Sequence, residues 1–169
     1  MRRLVLLVSV TMVVAGCASG GGVAPRPFPG AGAPAGASSR PPAPLRPGGE
    51  RALVSTALEY TGAPYRNGGT DPSGFDCSGF VHYVFGRHGI ETPRQVREQF
   101  RIGARVDRAR LRPGDLVFFT TVAPGASHVG IVIGDGEFVH APSSRGVVRV
   151  ERLDSSYWSR RFVGARRLG

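Results

Sequence analysis

Residues 75–85 read F-D-C-S-G-F-V-H-Y-V-F, and this stretch decides how the rest of the chain is interpreted. Apolar residues follow Cys77 at the spacing of one buried helix face, and Asp76 is a suitable N-cap. The pattern therefore predicts a buried helix that begins at Cys77, where unpaired N–H groups and the positive dipole end favour a thiolate. Gly79 is expected to leave the first turn open to a carbonyl group. A cysteine in this position is a candidate nucleophile.

Two histidines downstream are candidate partners for the thiol. Residues 127–133 (S-H-V-G-I-V-I) and 137–141 (E-F-V-H-A) alternate like strands, and a Gly-Asp-Gly turn between them predicts a tight hairpin. The alternation places His128 on the same face as Gly130, which is expected to keep that face open. Pairing through the turn brings His140 close to His128 on this face.

A helix-borne thiol and two sheet-borne imidazoles supply a nucleophile, a base and a residue that orients the base. The chemistry that we infer from them is acyl transfer. We expect His128 to hold the Cys77 thiolate as an ion pair and later to give its proton to the leaving amine. His140 would fix the tautomer of His128, and backbone N–H groups at the helix start would stabilise the oxyanion.

The N-terminal segment, residues 1–17, is predicted to be an export signal. It has two arginines, an apolar run that is too short to span a bilayer, and then Ala-Gly-Cys. The sequence V-A-G-C resembles the bacterial lipoprotein signal, which implies that Cys17 carries lipid and anchors the chain to a membrane. An ordinary secretory signal is the alternative. Ala18 after the cysteine favours the periplasmic face of the outer membrane over the inner membrane.

Residues 18–48 contain eight prolines, seven glycines and no acidic residue, which is typical of a disordered linker. Residues 49–169 remain for one domain, and they carry 17 arginines and 12 acidic residues, a net charge of +5. This excess suits an anionic partner such as a cell-wall polymer or acidic lipid, or it is only a solvated basic surface. No motif indicates nucleic-acid binding.

The order of the predicted elements favours an α+β fold with an antiparallel sheet, because helices come first and a meander of strands follows. The predicted helices lie at residues 49–61, 77–88 and 94–100, with a short turn or helix near 154–158. The predicted strands lie at residues 115–120, 127–133, 137–141, 147–150 and 162–167.

Three motifs also carry a family resemblance. The sequences D-C-S-G-F-V, S-H-V-G-I-V-I-G and F-V-H-A resemble those of the NlpC-type (NlpC/p-sixty) cell-wall cysteine peptidases, in particular the lipoprotein murein endopeptidases. The resemblance covers about residues 50–167. It implies a papain-like core, with N-terminal helices packed on a small antiparallel sheet or half-barrel. It also implies that Cys77, His128 and His140 hydrolyse an amide bond in the peptidoglycan stem peptide or its cross-links.

The same resemblance implies roles for residues outside the Cys-His-His set. P-Y-R-N-G-G resembles the family's tyrosine-containing segment, so Tyr65 would be a wall of the site and an oxyanion contributor. Asp76 and Ser78 would border the substrate. T-P-R-Q-V-R-E-Q-F resembles another family segment, but Gln95 and Val96 replace its small polar pair.

Other interpretations stay open from the sequence. Cys77 is an inert buried thiol in one of them, and in another the three residues bind zinc, which would require a fourth ligand. The chain as a whole could be a non-catalytic wall-binding or scaffolding lipoprotein, or an amidase or acyltransferase on the same fold. We expect no cofactor and a monomer that acts on peptidoglycan stem peptides. The bond that is cut, γ-D-glutamyl–diaminopimelate or diaminopimelate–D-alanine, is not decided by the sequence.

Overall fold

A computed structural model describes residues 48–169 of the chain. The predicted signal peptide, Cys17 and all but the last residue of the predicted linker lie outside the described residues. Four helices and eight strands form the described part, and their arrangement confirms the predicted α+β class. No helix between residues 48 and 169 has the length and apolar character that would let it cross a membrane.

The helices begin and end close to the predicted positions. The helix at Cys77 starts as expected, because the side chain of Asp76 accepts a hydrogen bond from Gly79 N at 2.7 Å. The first helix ends two residues before the predicted boundary. The helices are α1 (Gly49–Glu59), α2 (Cys77–Arg87), α3 (Val96–Gln99) and α4 (Ser156–Ser159).

Six strands form one antiparallel sheet, and two more form a small ribbon before α2. The order in the large sheet is β3-β8-β4-β5-β6-β7. The five predicted strands are present, whereas the ribbon and β3 were not predicted because they are short and have no apolar alternation. The strands are β1 (Thr70–Asp71), β2 (Gly74–Phe75), β3 (Ala104–Val106), β4 (Leu116–Phe119), β5 (His128–Gly134), β6 (Glu137–His140), β7 (Arg149–Arg152) and β8 (Phe162–Arg167).

The hairpin of β5 and β6 has the register that brings the two histidines close together. Ile131 lies opposite Val139, and Val132 lies opposite Phe138. The turn contains Asp135 with a φ of 49°, a left-handed conformation that aspartate tolerates better than most residues. Strand β5 begins and strand β6 ends at the same end of the hairpin, opposite the turn. His128 and His140 therefore both lie at that end.

The sheet has a different core on each face. One face packs against α1 and α2 through a large aliphatic and aromatic cluster that includes Leu53, Phe85, Phe118 and Val129. The other face carries a smaller cluster rich in aromatic rings, which α4 covers with Trp158. The members of this smaller cluster are Val117, Phe119, Val132, Phe138, Leu153, Trp158 and Ala165.

Candidate active site

Cys77 is the first residue of α2, and its sulfur lies against the start of β5. Backbone N–H groups of Val129, Ser78 and Cys77 itself lie close enough to the sulfur to lower the pKa of the thiol. Val129 directly follows His128, so the thiol lies beside the backbone that carries the candidate base. Cys77 keeps some accessible surface and is a free thiol in the described part of the chain.

His128 and His140 are in direct contact, as the predicted hairpin requires. Nε2 of His128 and Nδ1 of His140 are 2.7 Å apart, which is a hydrogen bond between the two rings. His140 is fully buried, and His128 is only 7% exposed. Because Nε2 of His128 bonds to His140, Nδ1 is the nitrogen of His128 that remains for the thiol.

Aromatic rings fix the orientation of both imidazoles. The indole of Trp158 stacks on His128 with 5.4 Å between centroids and 23° between planes. The same indole meets His140 edge-on at 5.0 Å, and the ring of Phe138 lies 4.7 Å from His140. Sequence reasoning did not include Trp158 in the site, although it is the only tryptophan in the chain.

Burial controls the protonation of the nucleophile and the base. Desolvation, followed by the charge of Asp76, raises the pKa of the Cys77 thiol to about 11, although three backbone N–H groups act in the opposite direction. Desolvation also lowers the pKa of His128 to about 4. The resting pair at neutral pH is therefore a thiol beside a neutral imidazole. Desolvation acts against the expected thiolate–imidazolium pair, because burial disfavours the charged form of each group.

His140 is held neutral more strongly than His128. Burial lowers its pKa to about 2, and the nearby His128 and Arg149 act in the same direction. A neutral His140 has one N–H and one bare nitrogen, so it can donate to or accept from His128 but cannot do both at Nδ1. The tautomer of His140 therefore determines the tautomer of His128.

Tyr65 lies close to the thiol. Its pKa is raised by burial and then by the neighbouring charges of Cys77 and Asp76, which places the phenol within electrostatic reach of both groups. Its backbone forms an isolated bridge with Phe75, directly before the N-cap of α2. The structure thus brings Tyr65 to the same end of α2 as Cys77.

Asp76 and Ser78 are in a network with Arg94, a residue that sequence reasoning did not include in the site. The guanidinium of Arg94 donates to both carboxylate oxygens of Asp76, and to Ser78 Oγ at 2.8 Å. Asp76 also accepts from Gly68 N at 3.0 Å. Hydrogen bonds, largely to Arg94, and the positive charge of Arg94 hold the pKa of Asp76 below its usual range despite desolvation. The network fixes the loops on one side of Cys77, and the Arg94 side chain is 37% exposed.

Two glycines have roles that differ from the expected ones. A Cβ at Gly79 would lie 2.0 Å from the carbonyl oxygen of Gly69, so this glycine allows α2 to pack on a loop and does not hold space for substrate. A Cβ at Gly130 would lie 2.5 Å from the ring of Phe138 and 3.2 Å from Cβ of His140. Gly130 therefore makes room for the second histidine.

The remaining histidines are remote from this chemistry. His82 is exposed on α2, and its Nδ1 is 2.7 Å from the carbonyl oxygen of Thr92. His88 lies at the C-cap of the same helix, where its ring hydrogen-bonds to Thr56 Oγ1 at 3.0 Å. Among residues 48–169 no group of three metal-ligating side chains lies close enough to hold a metal ion.

Comparison with known proteins gives the same picture of the domain. Residues 62–167 match the NlpC/P60 family. The chain is 44% identical over 117 residues to the murein DD-endopeptidase MepS/murein LD-carboxypeptidase of Escherichia coli K12, covering 69% of this chain and 61% of that protein. It is 42% identical over 122 residues to the gamma-DL-glutamyl hydrolase of Bacillus subtilis 168, covering 69% of this chain and 29% of that protein.

Solved structures agree with these sequence relationships. A crystal structure of an NlpC/P60 family protein from Bacillus cereus has a TM-score of 0.66 and 38% identity, with 70% of this chain and 40% of that chain covered. The match spans between 29% and 63% of the length of the first curated relatives. The family match begins just after α1, extends to the last strand and includes all the candidate site residues of the domain. The chain therefore belongs to the NlpC/P60 family.

Proposed function

We propose that this protein is a lipid-anchored peptidoglycan endopeptidase that hydrolyses an amide bond in the stem peptide or its cross-links. Cys77 is the nucleophile, His128 is the general base and acid, and His140 orients His128. The observation that carries the proposal is the convergence of α2 and the β5–β6 hairpin. The sulfur is close enough to Val129 N for this N–H to lower the pKa of the thiol, and His128 bonds to His140 at 2.7 Å.

The protonation of the resting pair supports a general-base mechanism. The neutral His128 takes the proton of the Cys77 thiol as the sulfur attacks the carbonyl carbon, so that charge develops only during the reaction. The resulting imidazolium gives this proton to the leaving amine, and a thioester remains on Cys77. A water molecule that loses a proton to His128 then attacks the thioester, the C–S bond breaks with release of the carboxylic acid, and the imidazolium returns the proton to the Cys77 sulfur.

The tetrahedral intermediate requires hydrogen-bond donors for its oxyanion. The backbone N–H of Cys77 is one candidate, because it lies at the start of α2 and has no partner earlier in the helix. The phenol of Tyr65 is the second candidate, since it lies within electrostatic reach of the sulfur. In this proposal Asp76 and Ser78 contact the substrate on the side of Cys77 that Arg94 partly covers.

The relatives support the substrate class but name different bonds. The Escherichia coli protein is called a murein DD-endopeptidase and LD-carboxypeptidase, whereas the Bacillus subtilis protein is called a gamma-DL-glutamyl hydrolase. Both names describe hydrolases, and the first of them names murein as the substrate. We therefore assign peptidoglycan stem peptides as the substrate class and leave the bond to product analysis.

The anchor is proposed from the sequence of residues 1–48. A lipid on Cys17 and a Pro/Gly-rich linker would hold the enzyme at the periplasmic face of the outer membrane, while the domain reaches the wall. Mass spectrometry of the mature N-terminus tests this part separately. An acylated cysteine supports the anchor, and an unmodified N-terminal residue contradicts it.

The catalytic proposal is tested with the full chain on purified murein sacculi. We expect the wild-type protein to release muropeptides and Cys77→Ala to release none, because no other thiol occurs in the described domain. Mass spectrometry of products from defined muropeptides identifies the bond. Full activity in Cys77→Ala would disprove the mechanism. The matched control is Ser127→Ala, because Ser127 lies near the site but has no assigned role.

A further inference from the structure

One buried nitrogen in the candidate site has no hydrogen-bond partner. Nε2 of His140 is fully enclosed and unbonded within residues 48–169. A buried polar atom of this kind is costly unless something nearby compensates for it. A carboxylate lies nearby, since Oε2 of Glu151 is 4.0 Å from Nε2 of His140.

The strand register explains why this carboxylate faces the histidine. In the pairing of β6 with β7, His140 lies opposite Arg149, and Phe138 lies opposite Glu151. Side chains two residues apart point to the same face of a strand, so Glu151 is a diagonal neighbour of His140. The position of Glu151 therefore follows from the sheet and not from a mobile loop.

Two further contacts hold the Glu151 side chain in place. Trp158 Nε1 donates a hydrogen bond to Oε2, and Nε of Arg149 lies 3.1 Å from Oε1. The indole that bonds to Glu151 is the same one that stacks on His128 and meets His140 edge-on. The carboxylate, the indole and both imidazoles thus form one packed unit, with Glu151 78% buried at its outer side.

We infer that Glu151 is a positioning residue that sets the tautomers of both histidines, an inference that rests on the proposed function. Its negative charge favours an N–H on Nε2 of His140, because the positive end of that N–H dipole then points at the carboxylate. Nδ1 of His140 is then bare and accepts from Nε2–H of His128. Nδ1 of His128 is bare in turn, which is the form that takes a proton from Cys77.

The opposite tautomer would leave the site inactive. A proton on Nδ1 of His140 would be donated to Nε2 of His128, and the proton of His128 would then lie on Nδ1, the nitrogen that remains for the thiol. His128 would have no lone pair there to accept a proton. Glu151 selects between these two arrangements and does not itself contact the reacting atoms.

Arg149 provides a matched comparison because it has the opposite charge. It lies directly across from His140 and contributes to the low pKa of that residue. The charges that face His140 from neighbouring elements are Arg149 and Glu151 on β7, and its other close neighbours are His128, Phe138 and Trp158. Loss of Glu151 should therefore change the tautomer, whereas loss of Arg149 should preserve it.

The experiment is ¹⁵N NMR of the four histidines of the full chain, combined with kinetics on a defined muropeptide. We expect Nε2–H on both His128 and His140 in the wild type. Glu151→Gln keeps an acceptor for Trp158 but removes the charge, and it should populate the Nδ1–H tautomers. The kcat should fall on the order of tenfold with KM unchanged, which is the lower range for loss of an orienting partner.

Three further variants make the result specific. Glu151→Asp keeps a carboxylate and should retain the wild-type tautomers, and it also serves if Glu151→Gln does not fold. Arg149→Gln should also retain the wild-type tautomers of the two histidines. A tautomer change in this variant would overturn the inference, because it would show that the Arg149–Glu151 ion pair, and not the charge of Glu151, sets the tautomers. Glu137→Gln removes a carboxylate that faces the other side of β6 and should change neither readout.

The outcomes separate this inference from the proposed function. Wild-type tautomers and unchanged kcat in Glu151→Gln would overturn the role of Glu151 while the peptidase proposal stands. A tautomer change in a protein that releases no muropeptides, even as wild type, would support the role of Glu151 and refute the proposed function.

Discussion

The two faces of the large sheet are built from the same strands but differ in what they contribute. The face toward α1 and α2 is covered by a continuous apolar core. The opposite face has fewer apolar residues, and its aromatic rings surround His128 and His140. Val129 and His128 are adjacent in sequence, yet they belong to different environments because side chains alternate along a strand.

This difference indicates a division between stability and chemistry. The helix face removes a large apolar area from water and holds α2 against β5, which determines the position of Cys77. The aromatic face contains two buried imidazoles whose charged forms are disfavoured there, so it lowers their basicity at some cost in stability. Substitutions on the two faces should therefore affect different measurements.

The largest effect is expected on the aromatic face at the proposed base. His128→Ala removes the group that accepts the thiol proton, and general acid–base contributions of this kind are on the order of 10²–10⁴-fold in rate. His82→Ala, at an exposed position of α2, should change the rate little. The measurement is the initial rate of muropeptide release by the full chain, with thermal unfolding of both variants as a check on folding. Similar losses in the two variants would refute the assignment of the base.

A matched pair of phenylalanines compares the faces directly. Phe85 on the helix face and Phe138 on the aromatic face are both fully buried, and Phe→Ala at such positions costs about 3–5 kcal/mol of unfolding free energy. We expect both variants to lose stability in urea titrations. Only Phe138→Ala should also lose kcat in the folded protein, because Phe138 packs against His140 at 4.7 Å.

The proposed difference between the two faces is refuted if Phe85→Ala loses as much kcat as Phe138→Ala. The comparison is made at a temperature and urea concentration at which Phe85→Ala is fully folded. Phe85 lies near the C-terminal end of α2, eight residues after Cys77, so its removal should leave the first turn in place. Equal losses would mean that the position of the sulfur depends on the whole helix face. The two faces would then not be separable in function.

The sequence predicted those features that depend on local patterns. The N-cap at Asp76, the helix after it and the hairpin register follow from spacing and turn chemistry, and the structure has all three. The contact between His128 and His140 followed from pairing of the two strands through the Gly-Asp-Gly turn. Local pattern was sufficient here because each inference involved neighbouring elements.

Features that depend on long-range packing were missed or misjudged. Trp158, Glu151 and Arg94 reach the site from elements far along the chain, and no spacing rule connects them to Cys77. The thiolate was expected from the start of the helix and from an ion pair with His128, whereas the depth of burial, which raises the pKa of the thiol, is a property of the whole fold. The reasons for Gly79 and Gly130 likewise appear only when the neighbouring backbone and rings are in place.

The smallest expected effect is the pH dependence of stability that the aromatic face produces. Burial lowers the pKa of His128 to about 4 and that of His140 to about 2, below the ordinary value of 6.5. The unfolded chain therefore binds protons below pH 6.5 that the folded chain does not bind. The stability is complete above this pH and decreases as the pH falls, by about 2 kcal/mol per histidine between pH 6.5 and 5.

Urea titrations of the full chain at pH 7 and pH 5 measure this loss, and single substitutions assign it. His128→Gln and His140→Gln each remove one group that resists protonation, so each variant should lose less stability than the wild type over this interval. Carboxylates with lowered pKa, such as Asp76, add their own acid dependence only near and below their ordinary value of 3.8, which leaves the interval to the histidines. An equally steep loss in the two variants would show that the imidazoles are not held neutral by the aromatic face. The general-base mechanism would then lose its physical basis, because an imidazole already protonated at pH 5 or above favours the thiolate–imidazolium pair.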